Sequence, residues 1–563
     1  DYVSKTRSSY LNRSKFLHIG DNPRADGEMA RKYGITAYVI PKAIDQLQQT
    51  EFKRILEKPL KQNSYDTSIV TGLIANKFFS SPKAHYLENS ISDSELYNLG
   101  YSVVGPFITS YVQWVIRKLA QHNVDKAYFL ARDGYLIMKV YEIFKQKFNT
   151  LPEYDYLLCS RRGVVVPGIF GVDDITEAAM LNYGITTVAN FLSSRFGLEM
   201  DAIPTKIIKK YKFKKDGSTK ISFPSDIDVT NSFVFDIQDI IFERAKFERK
   251  LYQKYLDEMG LNEDKTLALV DLGYSGTMQR KIKDITGKSY VGLYMLTHNY
   301  VLHHFKDEVF EGWLSEFDSQ RSSLRHPFND YIPLLESMLS STEGSFLNMY
   351  LDDNGDTKVN YLYSEGESYR CFFVKSIQKG ALDFATDFIN RFEGMALDLE
   401  LSPHVGSHMM FAFGEAPAEE DVKLFEGLLL ENMFAGAEFN VIANANNYLN
   451  QSGKLSKDNY TYLVSQSKWK AGAIVAYQKY LQSTKSEIID NREKNENINK
   501  LKTEIELSKQ RNYQMSKVER LKRKLNNNPK GFVEDSKFIP KKLGDIIVSN
   551  EKTLGVFKII AEK

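Results

Sequence analysis

Between residues 16 and 40, apolar and polar stretches follow one another in a regular order. The segment FLHIGDNPRADGEMARKYGITAYVI reads as a short apolar strand, an acidic turn, a helix that ends at Gly34, and a second strand. This order predicts one β-α-β unit. A polar helical stretch follows Pro41, and apolar periodicity resumes from Tyr101, so we expect the first domain boundary between residues 50 and 90.

Strand and helix patterns alternate over the next few hundred residues. The strand candidates are KAYFLA, YDYLLCS, KTLALVDLGYSG and SYVGLYML, and helical stretches separate them. Strands joined through helices usually form parallel sheets, because a parallel pair needs a long crossover connection. The pattern therefore predicts an α/β domain with a mostly parallel sheet.

The pattern changes again toward the carboxyl end. Residues 370–480 are expected to be mainly helical, with DVKLFEGLLLENMFAGAEF and SKWKAGAIVAYQKYLQ as apolar-faced helices. Residues 485–526 are strongly charged with broken apolar repeats, which predicts a long connector helix rather than a stable zipper. We therefore expect a truncated Rossmann-like segment at 1–60, a mostly parallel α/β domain at 61–480, and a charged helical tail at 481–563.

Composition limits the classes of function. With 563 residues and 42% apolar side chains, the chain can bury more than one core. The net charge is only +2, which argues against nucleic acid as a partner. Cys159 and Cys371 are too few for a disulfide framework and fit a reducing cytoplasm. No apolar run is long enough to span a bilayer, so membrane contact is expected to be at most peripheral. The basic segment 209–220 is interpreted as a solvated loop, and the alternative is contact with anionic lipid or a phosphorylated acceptor.

The first unit carries two acids on its strand-to-helix turn. Asp21 and Asp26 follow the strand in HIGDNPRADGEMARKYGI, where carboxylates suit Mg²⁺, which takes few protein carboxylates and keeps several waters. This segment resembles the fourth motif of the haloacid-dehalogenase superfamily, whose acids hold Mg²⁺ beside a phosphoaspartate. The alternative is a plain turn with an Asp N-cap. Nothing before residue 16 supplies the superfamily's nucleophilic Asp, so we expect this chain alone to lack phosphatase activity.

The larger domain has three polar motifs at predicted strand ends. In the first, KAYFLARDGYLIMKVYEIF, a buried strand ends at Arg132, Asp133 and Gly134, where a helix begins. A cation, an acid and a glycine at the carboxyl end of a strand are placed for ligand contact, and a helix N-terminus favours anions. The alternative is an Arg-Asp ion pair that caps the helix.

The second motif, YDYLLCSRRGVVVPG, ends a strand with Ser160, Arg161 and Arg162. Adjacent arginines repel each other unless an anion lies between them. Phosphate is the natural anion, because guanidinium binds it bidentately. The motif predicts a phosphate site, and the alternative is that Arg162 faces solvent.

The third motif, TLALVDLGYSGTMQRKI, is the most informative. An apolar strand reaches Asp271 and continues into a glycine loop that leads into a helix. Glycines let backbone N–H groups face an anion, hydroxyls add donors, and an acid at this position suits Mg²⁺ or a sugar hydroxyl. The pattern predicts a phosphate cradle. The residues assigned to it are Gly273, Tyr274, Ser275, Gly276, Thr277 and Gln279.

In order, HIGDN, FLARDGY, CSRR, VDLGYSGTMQ and PLLESMLSSTEGSF resemble the dual-domain ribofuranosyltransferases of bacterial O-antigen and capsule clusters. In that family a haloacid-dehalogenase-type phosphatase is joined to a glycan-specific phosphoribosyltransferase. The resemblance covers about residues 16–480. It implies that phosphoribosyl pyrophosphate donates ribose 5-phosphate to a glycan hydroxyl, after which the phosphatase removes the 5-phosphate.

The resemblance also implies roles for individual residues. The arginines expected to hold phosphates are Arg132, Arg161 and Arg162. Asp133 or Asp271 would bind Mg²⁺ or ribose hydroxyls. Glu336 lies in YIPLLESMLSS, an otherwise largely apolar helix, so its carboxylate is either the buried partner of an arginine or a general base.

The implied partners are a lipid-linked glycan acceptor and other polysaccharide-assembly transferases, in the cytoplasm at the inner face of the membrane. Two other functions stay open. One is a nucleotide-sugar glycosyltransferase of the same clusters, which would release a nucleoside diphosphate. The other is a non-catalytic scaffold that recruits transferases through its charged helix, although a scaffold has no need of three polar strand ends.

Overall fold

A computed structural model gives the fold of the chain. It describes residues 15–53, 64–80, 90–92, 95–181, 184–314, 332–432 and 437–481. The chain divides into two compact units, Asp1–Leu481 and Gln482–Lys563. All described residues belong to the first unit. The predicted boundary at residue 60 and, apart from Leu481, the predicted charged tail therefore lie outside the described residues.

The strands of the described residues are β1 (Leu17–Gly20), β2 (Thr36–Val39), β3 (Lys126–Leu130), β4 (Glu153–Leu157), β5 (Ile185–Thr187), β6 (Lys220–Ser222), β7 (Leu267–Tyr274), β8 (Val291–Thr297), β9 (Phe310–Gly312), β10 (Ser345–Leu351), β11 (Thr357–Leu362), β12 (Leu429–Asn432) and β13 (Ala437–Asn440). The central sheet has the order β4-β3-β7-β8-β9, and all its neighbouring strands are parallel. The prediction of an α/β fold with a mostly parallel sheet is confirmed.

The α-helices are α1 (Met29–Lys32), α2 (Ala43–Leu47), α3 (Tyr65–Phe79), α4 (Leu96–Leu99), α5 (Gly105–Gln121), α6 (Gly134–Lys147), α7 (Arg161–Val165), α8 (Val172–Met180), α9 (Val188–Phe196), α10 (Thr205–Lys210), α11 (Ile227–Asp236), α12 (Gln238–Glu258), α13 (Thr277–Thr286), α14 (Ile332–Leu339), α15 (Ser368–Phe392), α16 (Pro403–Glu415), α17 (Glu419–Val422), α18 (Lys457–Gln466) and α19 (Lys470–Gln478). Within the described ranges, no helix combines the length and apolarity needed to cross a bilayer.

The predicted β-α-β unit is present at the start of the described chain. β1 pairs in parallel with β2, and a π-helical turn at Pro23–Glu28 followed by α1 connects them. The remaining small sheets are antiparallel pairs: β5 with β6, β10 with β11, and β12 with β13.

Both faces of the central sheet are buried, because side chains alternate along each strand. In β3, Ala127 and Phe129 join a large core that α5, α6, α15 and α16 share. Tyr128 and Leu130 point the other way, into a second core that contains apolar residues of α12 and α13. The sheet is thus the middle of three layers. Because both of its faces are buried, polar side chains can gather at the edge where its strands end.

A small helical subdomain is inserted between β4 and β7. Its own apolar core runs from Val165 to Ala245 and draws on α8 through α12. The antiparallel pair β5–β6 lies in the same stretch of chain.

One predicted helix is wrong. The segment DVKLFEGLLLENMFAGAEF forms the end of α17, a 3-10 turn at Lys423–Phe425, and then the pair β12–β13. Gly427 has a φ of +76°, which ends the helical backbone. Leu428 and Leu430 are buried while Leu429 is only partly buried, which is the alternation of a strand. The other predicted helix, SKWKAGAIVAYQKYLQ, is confirmed as α19.

Tyr111 connects α5 to the sheet beside the strand ends. Its buried hydroxyl donates toward the carbonyl oxygens of Asp271, at 2.9 Å, and Leu293, at 3.1 Å. We expect Tyr111→Phe to lower the free energy of unfolding by about 1 to 3 kcal/mol, because these buried carbonyls lose their donor. Urea denaturation measures the change. Tyr350→Phe is the control, since Tyr350 is 43% exposed; equal losses in the two variants would contradict this account.

Candidate functional site

A cavity of about 180 Å³ opens at the carboxyl ends of β3, β4 and β7. Parallel strands put these ends at one edge of the sheet, so motifs far apart in sequence meet there. The predicted site residues in its wall are Arg132, Asp133, Arg161, Arg162, Asp271, Gly273, Tyr274 and Glu336. All three strand-end motifs and the helix that carries Glu336 therefore contribute to one cavity.

Three carboxyl groups share this wall, and burial raises the pKa of each. For Asp271, which is 2% exposed, the charge of Asp133 adds to that effect, and the pKa lies well above its ordinary value. Burial and the Asp133 charge together raise the pKa of Glu336 to about 7, against a hydrogen bond from the Tyr274 hydroxyl. At neutral pH the three acids therefore resist being charged together, which suits a group that takes up and releases a proton.

The third acid, Asp133, is held by the loop that follows α14. The hydroxyl of Ser340 donates to Asp133, although burial still raises the pKa of that carboxyl. Two side chains of α15 fix this loop: Gln378 donates to the Ser340 carbonyl at 3.0 Å, and Arg370 donates to the Ser341 carbonyl at 2.8 Å. Sequence reasoning gave these residues no role. The available signal was the polar run SSTEGSF directly after an apolar helix.

Arg132 enters the cavity as half of a fixed ion pair. Its terminal nitrogens donate to both carboxylate oxygens of Glu367, at 3.0 and 3.1 Å. These bonds use two of the five N–H donors of the guanidinium. A phosphate bound at Arg132 would share it with Glu367, an acid that sequence reasoning missed because it lies 235 residues away.

Arg161 and Arg162 are adjacent but point into different surroundings. Arg161 is exposed, and its charge offsets part of the effect of burial, which raises the pKa of both Asp133 and Glu336. Arg162 is 5% exposed and donates to both oxygens of Glu248, at 2.7 and 2.8 Å. Its Nε also donates to the Ser193 carbonyl at 3.2 Å. The expectation that Arg162 binds phosphate is therefore corrected: its donors hold the insertion subdomain, and it does not face solvent.

The predicted phosphate cradle is only partly in the cavity. Gly273 and Tyr274 line it, whereas four residues assigned to the cradle are absent from the cavity wall: Ser275, Gly276, Thr277 and Gln279. Gly276 has a φ of +61°, and a side chain there would meet the Phe305 ring at 2.4 Å, so this glycine serves the turn and its packing.

Gln279 is a fully buried connector rather than a donor-binding residue. Its amide donates to the carbonyls of Tyr290, at 3.0 Å, and Val309, at 3.1 Å, and accepts from Tyr294. Gly134 also lies outside the cavity wall. A side chain on it would come within 3.0 Å of the Phe129 backbone, so its small size serves helix-to-strand packing.

The two acids of the β1–β2 unit, Asp21 and Asp26, form contacts within that unit and with the residues that follow it. Asp26 lies 2.9 Å from the Nε2 atom of His18, and this hydrogen bond lowers the pKa of Asp26. The Asn22 backbone also donates to Asp26, and the Asn22 side chain caps the following turn. Asp21 is 3.8 Å from the Lys42 ammonium. The N-cap is thus Asn22, whereas the alternative considered from the sequence was an Asp cap.

The wall has one further acid that the sequence did not reveal. Glu431 of β12 accepts from the Ser345 hydroxyl at 2.6 Å and lies 4.0 Å from Arg132. It was hidden in LLLEN because that segment was predicted as a helix. Across the described part of the chain, no group of three or more His, Cys, Asp or Glu side chains is arranged to hold a metal ion.

The pair of Arg162 and Glu248 yields a test of its structural role. We expect Arg162→Met to lower the free energy of unfolding by about 3 to 5 kcal/mol, because it removes a charge partner of buried Glu248. The double variant Arg162→Met/Glu248→Leu should recover most of this loss. Urea denaturation of the three proteins decides. A stable single variant that binds donor poorly would restore Arg162 to the ligand site.

Glu336 yields a test that depends on pH. A carboxyl whose pKa rises on folding costs stability as the pH increases from its unfolded value, 4.5, through its folded value, about 7. We therefore expect Glu336→Gln to be more stable than the parent at pH 8 by about 1 to 3 kcal/mol, with the gain disappearing near pH 4. Thermal melts across this range measure it. A gain that is independent of pH would contradict the raised pKa.

Neither the protein-family models nor the curated proteins contain a match to this chain. The chemistry of the site therefore rests on its own geometry. That geometry combines three acids with raised pKa values, one exposed arginine and two arginines in fixed ion pairs, at the carboxyl edge of a parallel sheet.

Proposed function

We propose that this chain is a glycosyltransferase that moves ribose 5-phosphate from phosphoribosyl pyrophosphate to a hydroxyl of a glycan, in the synthesis of a bacterial surface polysaccharide. The observation that carries the proposal is the meeting of Asp133, Asp271, Glu336 and Arg161 in one cavity. Group transfer to a hydroxyl needs an acceptor for its proton and charge to hold a phosphorylated donor. These residues supply both.

The size of the cavity supports binding of the reacting part of a donor. Its volume of about 180 Å³ is below the roughly 300 Å³ at which pockets for whole small molecules begin. Exposed Arg161 suits a phosphate at the mouth, and Arg132 suits one deeper in. The remainder of the donor and the glycan would lie outside the enclosed space.

Glu336 is the proposed general base. Because its pKa is raised to about 7, its carboxylate form accepts a proton more readily than an ordinary glutamate does. The acceptor hydroxyl would lose its proton to Glu336 as its oxygen bonds to C1 of the ribose, and pyrophosphate would leave from C1. Tyr274 keeps the base in position, because its hydroxyl donates to Glu336.

Mg²⁺ is the proposed cofactor, and the pair of carboxylates in the cavity wall fits it. Mg²⁺ is commonly held by one or two carboxylates together with substrate phosphates and water. Asp133 and Asp271 lie in the same cavity wall. Burial raises the pKa of both and so disfavours their charged forms, and a bound cation would counteract this effect. When bound, Mg²⁺ would neutralise charge on the donor phosphates.

The β1–β2 unit is the proposed magnesium-binding part of a phosphatase that removes the 5-phosphate, with Asp21 and Asp26 as its Mg²⁺ ligands. The proposed glycan acceptor is lipid-linked, and the protein would work beside other polysaccharide-assembly transferases at the cytoplasmic face of the membrane. These parts of the proposal come from the resemblance of the sequence motifs.

The test is a donor screen with matched active-site variants. The protein is incubated with Mg²⁺, a panel of glycan acceptors, and either phosphoribosyl pyrophosphate or nucleotide sugars. Release of pyrophosphate with addition of ribose 5-phosphate to an acceptor is the expected result, measured by mass spectrometry. Release of nucleoside diphosphate would establish the alternative donor, and no transfer with any donor would favour a scaffold.

Asp271→Asn is the sharpest variant in this screen. We expect the melting temperature to change little or to rise, because a buried acid with a raised pKa is replaced by a neutral isostere. The transfer rate should fall by about a hundredfold or more, because an amide cannot supply the carboxylate that Asp271 would present to bound Mg²⁺ at the reacting centre. Asp353→Asn is the matched control, because it makes the same substitution at an exposed aspartate. Full activity of Asp271→Asn would show that transfer does not take place in this cavity.

A further inference from the structure

The insertion subdomain between β4 and β7 has a surface that the proposed transfer reaction does not use. Its stretch from 205 to 220 contains one acid, Asp216, against seven lysines. All seven are exposed: Lys206, Lys209, Lys210, Lys212, Lys214, Lys215 and Lys220. The sequence alone suggested a solvated loop. The fold adds to that picture by placing exposed apolar side chains beside these lysines.

A groove of about 400 Å³ provides the first such contact. Lys210 and Tyr211 line it together with Val172 of α8 and Phe235 of α11. Val172 is 42% exposed and Phe235 is 56% exposed. Large apolar side chains at the rim of a cationic surface have no benefit in water, since they gain free energy only when something apolar covers them.

The β5–β6 pair provides a second, separate contact. Lys220 of β6 lies opposite Thr187 of β5, and Ile185 is two residues from Thr187. Residues two apart on a strand share a face, so Ile185 and Lys220 stand on the same side of this pair. Ile185 is 70% exposed. Lysine and an exposed apolar side chain are thus neighbours at two places in the subdomain.

We propose that this surface docks the protein onto an anionic lipid bilayer, with the lysines at the headgroups and Phe235, Val172 and Ile185 in the interface. Basic segments are attracted to anionic membranes, and apolar side chains beside them can enter the headgroup boundary. A nucleic acid would meet the charge but would leave aliphatic Val172 and Ile185 uncovered. Nearby acids offset only part of this charge: Asp236 pairs with Lys210, Asp226 accepts from the Ser222 backbone, and Asp228 of α11 is exposed. With Asp216, residues 205–236 contain four acids against seven lysines, so the segment stays positive.

The test is flotation of the full chain with lipid vesicles. Vesicles of phosphatidylcholine mixed with phosphatidylglycerol are compared with vesicles of phosphatidylcholine alone, at low and high salt. We expect binding to the anionic vesicles only, weakening as salt rises. Replacing Lys209, Lys212, Lys214 and Lys215 with Gln should reduce partitioning by at least about tenfold. Phe235→Ser should reduce it by about tenfold while leaving the salt dependence in place.

The matched control removes the same charge elsewhere, by Gln substitution of four exposed lysines: Lys32, Lys53, Lys375 and Lys457. It should float like the parent, and a unique loss in the first set supports the assignment. Equal loss in both sets, equal binding to neutral vesicles, or binding to a nucleic acid duplex without vesicle binding would each overturn it. The assay contains no donor or glycan, so its failure leaves the proposed transferase untouched, and the reverse also holds.

Discussion

Placing acids at a buried edge of the sheet is the constraint around which this molecule is organised. An uncompensated buried charge costs several kcal/mol, so each carboxyl must either pair with a cation or keep its proton. Glu367 follows the first course: despite its burial, Arg132 and Arg370 hold its pKa below the ordinary value. Asp271 and Glu336 follow the second. The two courses separate acids that hold the structure from acids that are available for chemistry.

The ion pairs also explain why the cavity has a defined shape. Arg162 with Glu248 fastens the start of α7 to α12 of the inserted subdomain, and Arg132 with Glu367 fastens the end of β3 to the start of α15. Each pair crosses between elements that the central sheet does not itself connect. Because guanidinium and carboxylate meet bidentately, these contacts fix direction as well as distance. The arginines thus build the wall that an arriving ligand would meet.

The sequence was a good guide where local pattern determines structure. Apolar strands that end in polar residues placed Asp133, Arg161 and Asp271 at one edge, since parallel strands must end together. It failed where the deciding partner is distant. Nothing near Arg162 in sequence reveals Glu248, 86 residues away, so a buried ion pair was taken for a phosphate site. β12 was taken for part of a helix because three leucines in a row suit either structure.

Asp133 links the two acids on either side of it. Its charge acts to raise the pKa of both Asp271 and Glu336, so any change in its own hydrogen bonding alters their readiness to ionise. That hydrogen bonding comes from Ser340, whose carbonyl is held by Gln378 and Arg370 of α15. Arg370 also pairs with Glu367, the partner of Arg132. A displacement of the start of α15 would therefore change the surroundings of Glu336 and of Arg132 together, because one set of contacts positions both.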